Sequence, residues 1–226
     1  MLTRFVAGVV GLLLVVGLPG CNGDAPARPA AGRAFDLPPA PTSGSITLEE
    51  ALASRRSVRE YRETPLDLDT IGRLFWAAQG RTQAGGAGRA APSAGGTYPL
   101  EIYVATSDGL LRYLPDGHRA EWLTRSDLRP GLHRAALDQR SVLEAPAVFV
   151  IGGIPTRTES RYGERAERYV FLEAGHAAQN LLLQATALDL GAVPIGAFRD
   201  DEVSRVLGLA EGEHPIYLIP VGHPAG

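Results

Sequence analysis

The stretch Glu164–Leu190, with the sequence ERAERYVFLEAGHAAQNLLLQATALDL, is the longest segment of the chain with helical character. Gly191 follows it and ends the predicted helix, because glycine readily adopts the backbone conformation that terminates helices. Apolar side chains occupy more than one stripe of the helix, which predicts burial on most of its sides. These apolar positions are Val170, Leu172, Ala174, Ala177, Ala178, Leu181, Leu182, Ala185 and Leu188. The sequence therefore predicts a central helix enclosed by other elements.

Shorter helices and strands precede and follow this helix. Thr47 and Glu50 form a capping box that begins a short helix, and Asp67 or Asp69 caps a second helix over Thr70–Gln79. Further predicted elements are a strand over Leu100–Thr106, a hairpin over Gly109–Thr124, a polar helix over Leu128–Gln139, a strand over Ala147–Gly152, a helix over Asp200–Leu207 and a strand over Ile216–Val221. Because strands and helices mix without strict alternation, the pattern predicts an α+β fold for residues 46–226.

Composition excludes several classes of chemistry. The 226 residues are 45% hydrophobic with a formal net charge of −3, which suits one domain with a sizeable core and gives no basic face for nucleic acid. All 22 basic residues are arginine, so Schiff-base lysine enzymes and P-loop ATPases are excluded. The single cysteine, Cys21, excludes an intrachain disulfide and cysteine zinc sites. No two histidines lie three or four residues apart, so no metal site is predicted.

The N-terminus has the pattern of a bacterial export signal. Arg4 precedes an apolar run over Phe5–Leu18, which is shorter than the about 20 residues of a membrane-spanning helix. Leu18-Pro19-Gly20-Cys21 follows and resembles a lipobox, so we expect a signal peptide over residues 1–20 and acylation of Cys21. Residues 21–45 are rich in Ala, Pro and Gly, which predicts a tether. The protein would then be lipid-anchored to the cell envelope; an uncleaved anchor or a misassigned start codon is the alternative.

The first segment with chemical potential is Arg55–Arg59, where three arginines and Ser57 cluster at the end of a helix. Guanidinium groups donate paired hydrogen bonds that match a phosphate dianion. The alternative is a solvated basic turn whose arginines pair with Glu60 and Glu63.

The second segment, Pro92-Ser93-Ala94-Gly95, lies in a loop rich in small residues that would let a flat ring approach the backbone. Gly86–Ala91 fits a dinucleotide-binding pattern, but no strand precedes it and Pro92 disfavours the helix that should follow. Ala91–Gly95 also resembles the nucleophile elbow of a serine hydrolase, with Ser93 as the nucleophile. A plain flexible loop is the remaining alternative.

The third segment is Pro194-Ile195-Gly196, which follows the long helix. Its small residues could present backbone N–H groups to the edge of a ligand. The alternative is an ordinary turn between a helix and a strand.

Together, these segments resemble the nitroreductase superfamily, and within it the SagB-type, or thiazoline/oxazoline dehydrogenase-like, branch. The resemblance lies in the order of five motifs along the chain. They are RRSVR from Arg55, PSAGGTYPLEIY from Pro92, EAGHAAQNL from Glu173, PIG from Pro194 and PVGHP from Pro220.

The resemblance implies a mixed, mostly antiparallel sheet packed by helices and a homodimer with FMN at the subunit interface. The long helix would form the dimer core. Arg55, Arg56, Ser57 and Arg59 would hold the FMN phosphate and ribityl chain, and Pro92, Ser93, Ala94 and Gly95 would line the flavin. Pro194, Ile195 and Gly196 would lie near its redox edge, reaching over from the partner subunit.

The implied activity is a ping-pong FMN oxidoreductase that takes electrons from NAD(P)H or another donor and passes them to a small acceptor. Azole-forming members of the SagB branch use a catalytic lysine, and this chain has none. The resemblance identifies no catalytic side chain, although His176, Tyr98, Tyr113 and Tyr162 are candidates. The alternatives are a membrane-tethered flavin-binding module without catalysis and a serine hydrolase using Ser93.

Overall fold

The computed structural model describes residues 32–40, 43–82 and 86–226. The predicted signal segment 1–20, Cys21 and the first part of the predicted tether lie outside these residues. The strands are β1 (Ala34–Asp36), β2 (Leu100–Thr106), β3 (Gly109–Leu114), β4 (Arg119–Thr124), β5 (Ala147–Gly153), β6 (Gly191–Ala192) and β7 (His214–Gly222). The helices are α1 (Leu48–Ser54), α2 (Leu68–Gln79), α3 (Arg129–Ala135), α4 (Arg140–Glu144), α5 (Thr156–Tyr162), α6 (Ala166–Ala187) and α7 (Asp200–Leu207). Within the described ranges, no helix is both long and apolar enough to span a bilayer.

The strands form one sheet in the order β1-β4-β3-β2-β5-β7-β6, and each strand is antiparallel to its neighbours. An isolated bridge between Ser57 and Ala192 adds a parallel pairing at the β6 edge. The predicted α+β fold is therefore confirmed, with a sheet that is antiparallel throughout its named strands.

Helices cover both faces of the sheet. Because successive strand residues point to opposite faces, Phe149 of β5 packs in the core beneath α2 and α6, whereas its neighbour Val148 packs toward α3 and α7. Every residue of β5 is buried, as the continuous apolar run predicted. The sheet is thus the middle layer of the domain.

Local signals set the starts of the first two helices. The Thr47 hydroxyl accepts a hydrogen bond from the Glu50 N–H over 3.2 Å, and the Glu50 carboxylate accepts one from the Thr47 N–H over 2.7 Å, which confirms the capping box. Asp67 caps α2 by accepting a hydrogen bond from the Thr70 N–H over 2.8 Å.

The polar helix predicted over Leu128–Gln139 is too long at its C-terminal end, because α3 stops at Ala135 and α4 is a separate helix that lies beyond the predicted range. Leu137 and Asp138 have φ angles of 58° and 56°, a left-handed conformation that no right-handed helix accommodates. The helix therefore ends at Ala135 and a new one begins at Arg140.

Part of the segment predicted as a tether belongs to the sheet. Ala34–Asp36 forms β1, which pairs with β4, and the following Leu37 is buried against α2. The sheet therefore begins before residue 46, the predicted start of the domain.

Helix α6 is buried on one face within this chain, whereas its sequence predicts burial on most of its sides. Its buried residues, among them Val170, Ala174 and Leu181, face the sheet and α2. Phe171 and Leu172 are 53% and 52% exposed. An apolar surface of the central helix is therefore left uncovered by the described residues.

Candidate functional site

The first predicted segment, Arg55–Arg59, directly follows α1 and lies against β6. Ser57 forms a parallel bridge with Ala192, and the Val58 N–H donates to the Ala192 carbonyl oxygen over 3.1 Å. Gly191 permits this approach, because a Cβ atom at residue 191 would lie 2.5 Å from the Val58 Cβ atom. The edge of the sheet therefore positions the segment.

The three arginines of this segment have different surroundings. The Arg56 guanidinium donates to the carbonyl oxygens of Ala53 and Arg55 over 2.8 Å each, so it covers the C-terminal end of α1. Arg55 is half-buried and Arg59 is exposed, and among the described residues neither guanidinium has an acidic partner. Ser57 is exposed between them. Two guanidinium groups without an acidic partner and a hydroxyl can bind a phosphate dianion.

The alternative interpretation of this segment, a basic turn paired with Glu60 and Glu63, is not observed. No ion pair joins these carboxylates to the arginines of the segment within residues 32–40, 43–82 and 86–226. The positive charge is consequently available for an anionic ligand.

The third segment, Pro194–Gly196, lies at the same edge of the sheet, beside β7. The backbone of Ile195 exchanges two hydrogen bonds with Leu218 of β7, over 2.8 Å and 3.0 Å, and its side chain is buried. Ile195 is therefore a support, while the half-buried Pro194 and the exposed Gly196 provide surface. A Cβ atom at Gly196 would meet no atom within 4 Å, so open space adjoins this residue.

The first and third segments are brought together within one chain. Ala192, which pairs with Ser57, lies two residues before Pro194. Within one chain, the turn after β6 therefore places the third segment beside the first.

The second segment has an unusual backbone. Gly95 and Gly96 have φ angles of 62° and 67°, and Tyr98 has a φ angle of 47°, which is uncommon for a bulky residue. Ser93 precedes a short 3-10 turn over Ala94–Gly96, and its hydroxyl oxygen accepts a hydrogen bond from the Tyr98 N–H over 2.9 Å. The turn is therefore held by specific backbone and side-chain hydrogen bonds.

Helix α5, which the sequence did not predict, holds one side of this turn. Arg161 donates to the Gly95 carbonyl oxygen over 3.0 Å, and the hydroxyl groups of Thr97 and Thr158 lie 2.9 Å apart. A Cβ atom at Gly95 would lie 2.6 Å from the Arg161 Cδ atom, so glycine is required for this contact. These partners lie more than 60 positions away in the sequence, and no local pattern identifies them.

Helices α2 and α6 hold the other side through Gln79 and Glu173. The Gln79 side-chain amide donates to the Glu173 carboxylate over 3.2 Å and accepts from the Arg89 guanidinium over 3.1 Å. Ser93 lies within hydrogen-bonding reach of the same carboxylate. Burial raises the pKa of Glu173, while Ser93, Gln79 and Arg89 oppose that rise. In the sequence, Glu173 stood out only as the first residue of a motif.

Among the described residues, no hydrogen bond or bridge joins the second segment to the first or third. The contacts of Ser93 and Gly95 go to α5 and α6, whereas those of Ser57 and Ile195 go to β6 and β7. The candidate site therefore consists of two parts with separate supports.

The structure argues against a serine hydrolase at Ser93. A nucleophile elbow needs a strand before the serine and a helix after it. Here bends precede Ser93, a single 3-10 turn follows it, and no histidine bonds to its hydroxyl within the described ranges. The interpretation as an elbow is therefore wrong.

The other candidate side chains differ in access. Tyr113 is buried and stacks on Phe75 with ring centroids 4.9 Å apart, so it belongs to the core. His176 is exposed on α6. Tyr162 is half-buried beside Tyr169, with ring centroids 4.7 Å apart. Within the described part of the chain, no cluster of acidic, histidine or cysteine side chains could hold a metal ion.

The residues that match known proteins include both parts of the candidate site. The profile of the Nitroreductase family matches residues 52–223. A Methanocaldococcus jannaschii protein named as a nitroreductase is 42% identical over 188 residues, which cover 80% of this chain and 93% of that protein. A Streptomyces coelicolor protein is 28% identical over 200 residues, which cover 84% of this chain and 88% of its own length. A crystal structure of a Ralstonia eutropha protein named as a nitroreductase superposes with a TM-score of 0.77 at 32% identity, over 88% of this chain and 94% of that chain.

Proposed function

The chain belongs to the nitroreductase family of oxidoreductases, and we propose that it binds FMN and transfers electrons between two substrates. The observation that carries the proposal is the pair Arg55 and Arg59, which flank the exposed Ser57 without an acidic partner among the described residues. Guanidinium groups that lie beside the sheet edge and lack a carboxylate partner are suited to an anionic group such as the FMN phosphate.

The remaining surfaces fit a flat ring system. Open space adjoins Gly196, and Gly95 keeps the second segment free of a side chain at an exposed turn. Pro194 and Gly196 would contact one edge of the flavin, and Pro92–Gly95 would line it. Arg56 and Ile195 would support these contacts, since their polar groups are already bonded to other residues.

The division of labour follows from these contacts. Bound FMN would supply the redox chemistry, taking a hydride from one substrate and giving electrons to another in a separate half-reaction. The protein would supply position and charge. Arginine side chains near the flavin favour its reduced anionic form, because opposite charges stabilise each other. No acid–base pair in the chain is needed for this role.

We propose that the protein works as a homodimer through α6. The support is the apolar surface of Phe171 and Leu172, which is exposed on the central helix of a single chain. A second argument for the dimer is that different elements of one chain hold the two parts of the site. A dimer would allow the second segment of one subunit to complete the site of the other.

We propose NAD(P)H as the first electron donor to test, because the Streptomyces coelicolor relative is named as an NADH dehydrogenase/NAD(P)H nitroreductase. The motif order resembles that of the SagB branch, but oxidation of azolines is not part of the proposal, since that chemistry uses a lysine and this chain has none.

The test is flavin content and reduction. Purified full-length protein should be yellow and should release FMN on denaturation, and NADH or NADPH should bleach the flavin band in stopped-flow measurements. Protein that stays colourless and binds no added FMN would refute the proposal. Bound FMN that no pyridine nucleotide or quinol reduces would indicate a flavin-binding module without catalysis.

We also propose that the domain is exported and anchored to the bacterial cell envelope through acylated Cys21. The support is the apolar run Phe5–Leu18 followed by the single cysteine of the chain. Cells fed an alkyne-tagged fatty acid should label the wild-type protein and fail to label Cys21→Ala. Equal labelling of both proteins, or of neither, would contradict the anchor.

A further inference from the structure

Glu173 is a buried carboxylate in the middle of the central helix. It is 3% exposed, and its neighbours on the same helix face, Val170 and Ala177, are apolar. Burying a carboxylate is unfavourable unless hydrogen bonds replace its water. The position therefore carries a polar group at a site where an apolar side chain would pack at lower cost.

The donors around Glu173 have fixed directions. The Arg89 guanidinium can only donate, so the atom of Gln79 that accepts its hydrogen bond is the amide oxygen. The amide nitrogen of Gln79 is thereby turned toward Glu173, to which it donates over 3.2 Å. The side-chain amide of Gln79 is thus oriented from one end by a cation and bonded at the other end to a carboxylate.

The Ser93 hydroxyl is directed in the same way. Its oxygen accepts a hydrogen bond from the Tyr98 N–H over 2.9 Å, which leaves the hydroxyl hydrogen free to point at Glu173. Two donors, Gln79 and Ser93, consequently converge on one carboxylate. The arrangement suits an ionised acceptor without hydrogens.

The contacts form a closed ring around the second segment. The Arg89 guanidinium lies 4.3 Å from the centre of the Tyr98 ring, and Tyr98 is bonded through its N–H to Ser93. This closed set of contacts thus joins both ends of the stretch from residue 89 to residue 98, within which Pro92–Gly95 lies. The positive φ angle of Tyr98 is uncommon for a bulky residue and needs such support.

We propose that Glu173 is a positioning residue that holds the flavin-lining segment Pro92–Gly95 in place by accepting hydrogen bonds from Gln79 and Ser93. The proposal rests on the FMN function proposed above. Glu173 acts through Ser93, and the backbone that Ser93 fixes forms the surface for the flavin.

The test exchanges the two side chains of the Glu173 and Gln79 pair. In Glu173→Gln, the new side chain has one acceptor oxygen and one donor nitrogen, while both of its neighbours, Gln79 and Ser93, donate. One of the two original hydrogen bonds to residue 173 is therefore lost. The double variant Gln79→Glu/Glu173→Gln restores every contact. The carboxylate now at residue 79 accepts from Arg89 and from the amide nitrogen now at residue 173, and the amide oxygen at residue 173 accepts from Ser93. Glu167→Gln, which removes an exposed carboxylate of the same helix, is the matched control.

Two measurements follow the four proteins. FMN affinity is measured by fluorescence quenching, and hydrogen exchange of the Tyr98 amide is measured in the flavin-free protein. Glu173→Gln should weaken FMN binding about tenfold, as expected for one hydrogen bond to a charged group, and should speed exchange at Tyr98. The double variant should recover both values, and Glu167→Gln should match the wild type.

Unchanged exchange at Tyr98 in Glu173→Gln would overturn the proposal, and so would a double variant as impaired as the single one. The exchange measurement needs no flavin. If the wild type binds no FMN, the proposed function fails on its own, while the Tyr98 amide still decides whether Glu173 holds the segment.

Discussion

Replacing Arg55 with alanine tests the phosphate assignment directly. The guanidinium is half-buried and has no acidic partner among the described residues. Its removal therefore leaves none of the described carboxylates without an ion-pair partner. A hydrogen bond to a charged group contributes about 1.5–3 kcal/mol. Because about 1.4 kcal/mol changes a dissociation constant tenfold, Arg55→Ala should weaken FMN binding by about 10- to 150-fold.

The assay compares FMN with riboflavin, which has the same ring system and no phosphate. Fluorescence titration of the flavin-free protein should show the loss for FMN and unchanged affinity for riboflavin. Arg55→Lys should bind FMN with intermediate affinity, since lysine keeps the charge but lacks the two-pronged donor geometry. Arg134→Ala, at an exposed arginine of α3, is the control and should bind both flavins like the wild type.

Equal losses of affinity for FMN and riboflavin would refute the assignment. Such a result would mean that Arg55 shapes the ring site or the fold, because riboflavin offers no phosphate to lose. Unchanged affinity for both flavins would place the phosphate elsewhere in the molecule.

Three further predictions concern Gly191, Phe171 and Glu213. Gly191→Ala places a Cβ atom 2.5 Å from that of Val58 and should lower the free energy of unfolding by about 1–3 kcal/mol in urea denaturation; an unchanged value would show that this edge of the sheet yields. Phe171→Glu should shift the protein to monomer in analytical ultracentrifugation, and a persisting dimer would exclude this face of α6 as the interface. Burial raises the pKa of Glu213, which accepts a hydrogen bond from the Tyr103 hydroxyl over 2.7 Å. The folded protein therefore holds the Glu213 proton more tightly than the unfolded chain, so the unfolding free energy of the wild type minus that of Glu213→Gln should rise as the pH falls from 8 toward 4.5; a difference that stays constant would contradict the pKa assignment.

Elements with local signals could be predicted from the sequence. The capping box at Thr47 and Glu50 involves side chains three positions apart, and the apolar run of β5 is continuous over seven residues. The first and third segments could be proposed from the sequence, because arginines at a helix end and a Pro-Ile-Gly turn after a helix are local patterns, and the structure places the two segments side by side.

Elements that depend on distant partners could not be predicted. β1 is short and lies in a segment rich in Ala, Pro and Gly, and it forms because β4 offers an open edge. The break at Leu137 depends on backbone conformation, since leucine is a good helix former. The supports of the second segment are separated from it by long stretches of chain, 66 positions in the case of Arg161 and Gly95. Contacts of this kind leave no period or spacing in the sequence.

The central helix α6 carries both the proposed dimer surface and the positioning residue Glu173. Glu173 on its buried face holds the second segment, while the adjacent residues Phe171 and Leu172 form its exposed apolar surface. A partner packed on that surface would restrain the same turn of helix from which Glu173 reaches Gln79 and Ser93. In the proposed dimer, α6 would therefore tie the subunit interface to the flavin-lining segment through one rigid element. The two substitutions separate these roles, because Phe171→Glu acts from the exposed side and Glu173→Gln acts from the buried side.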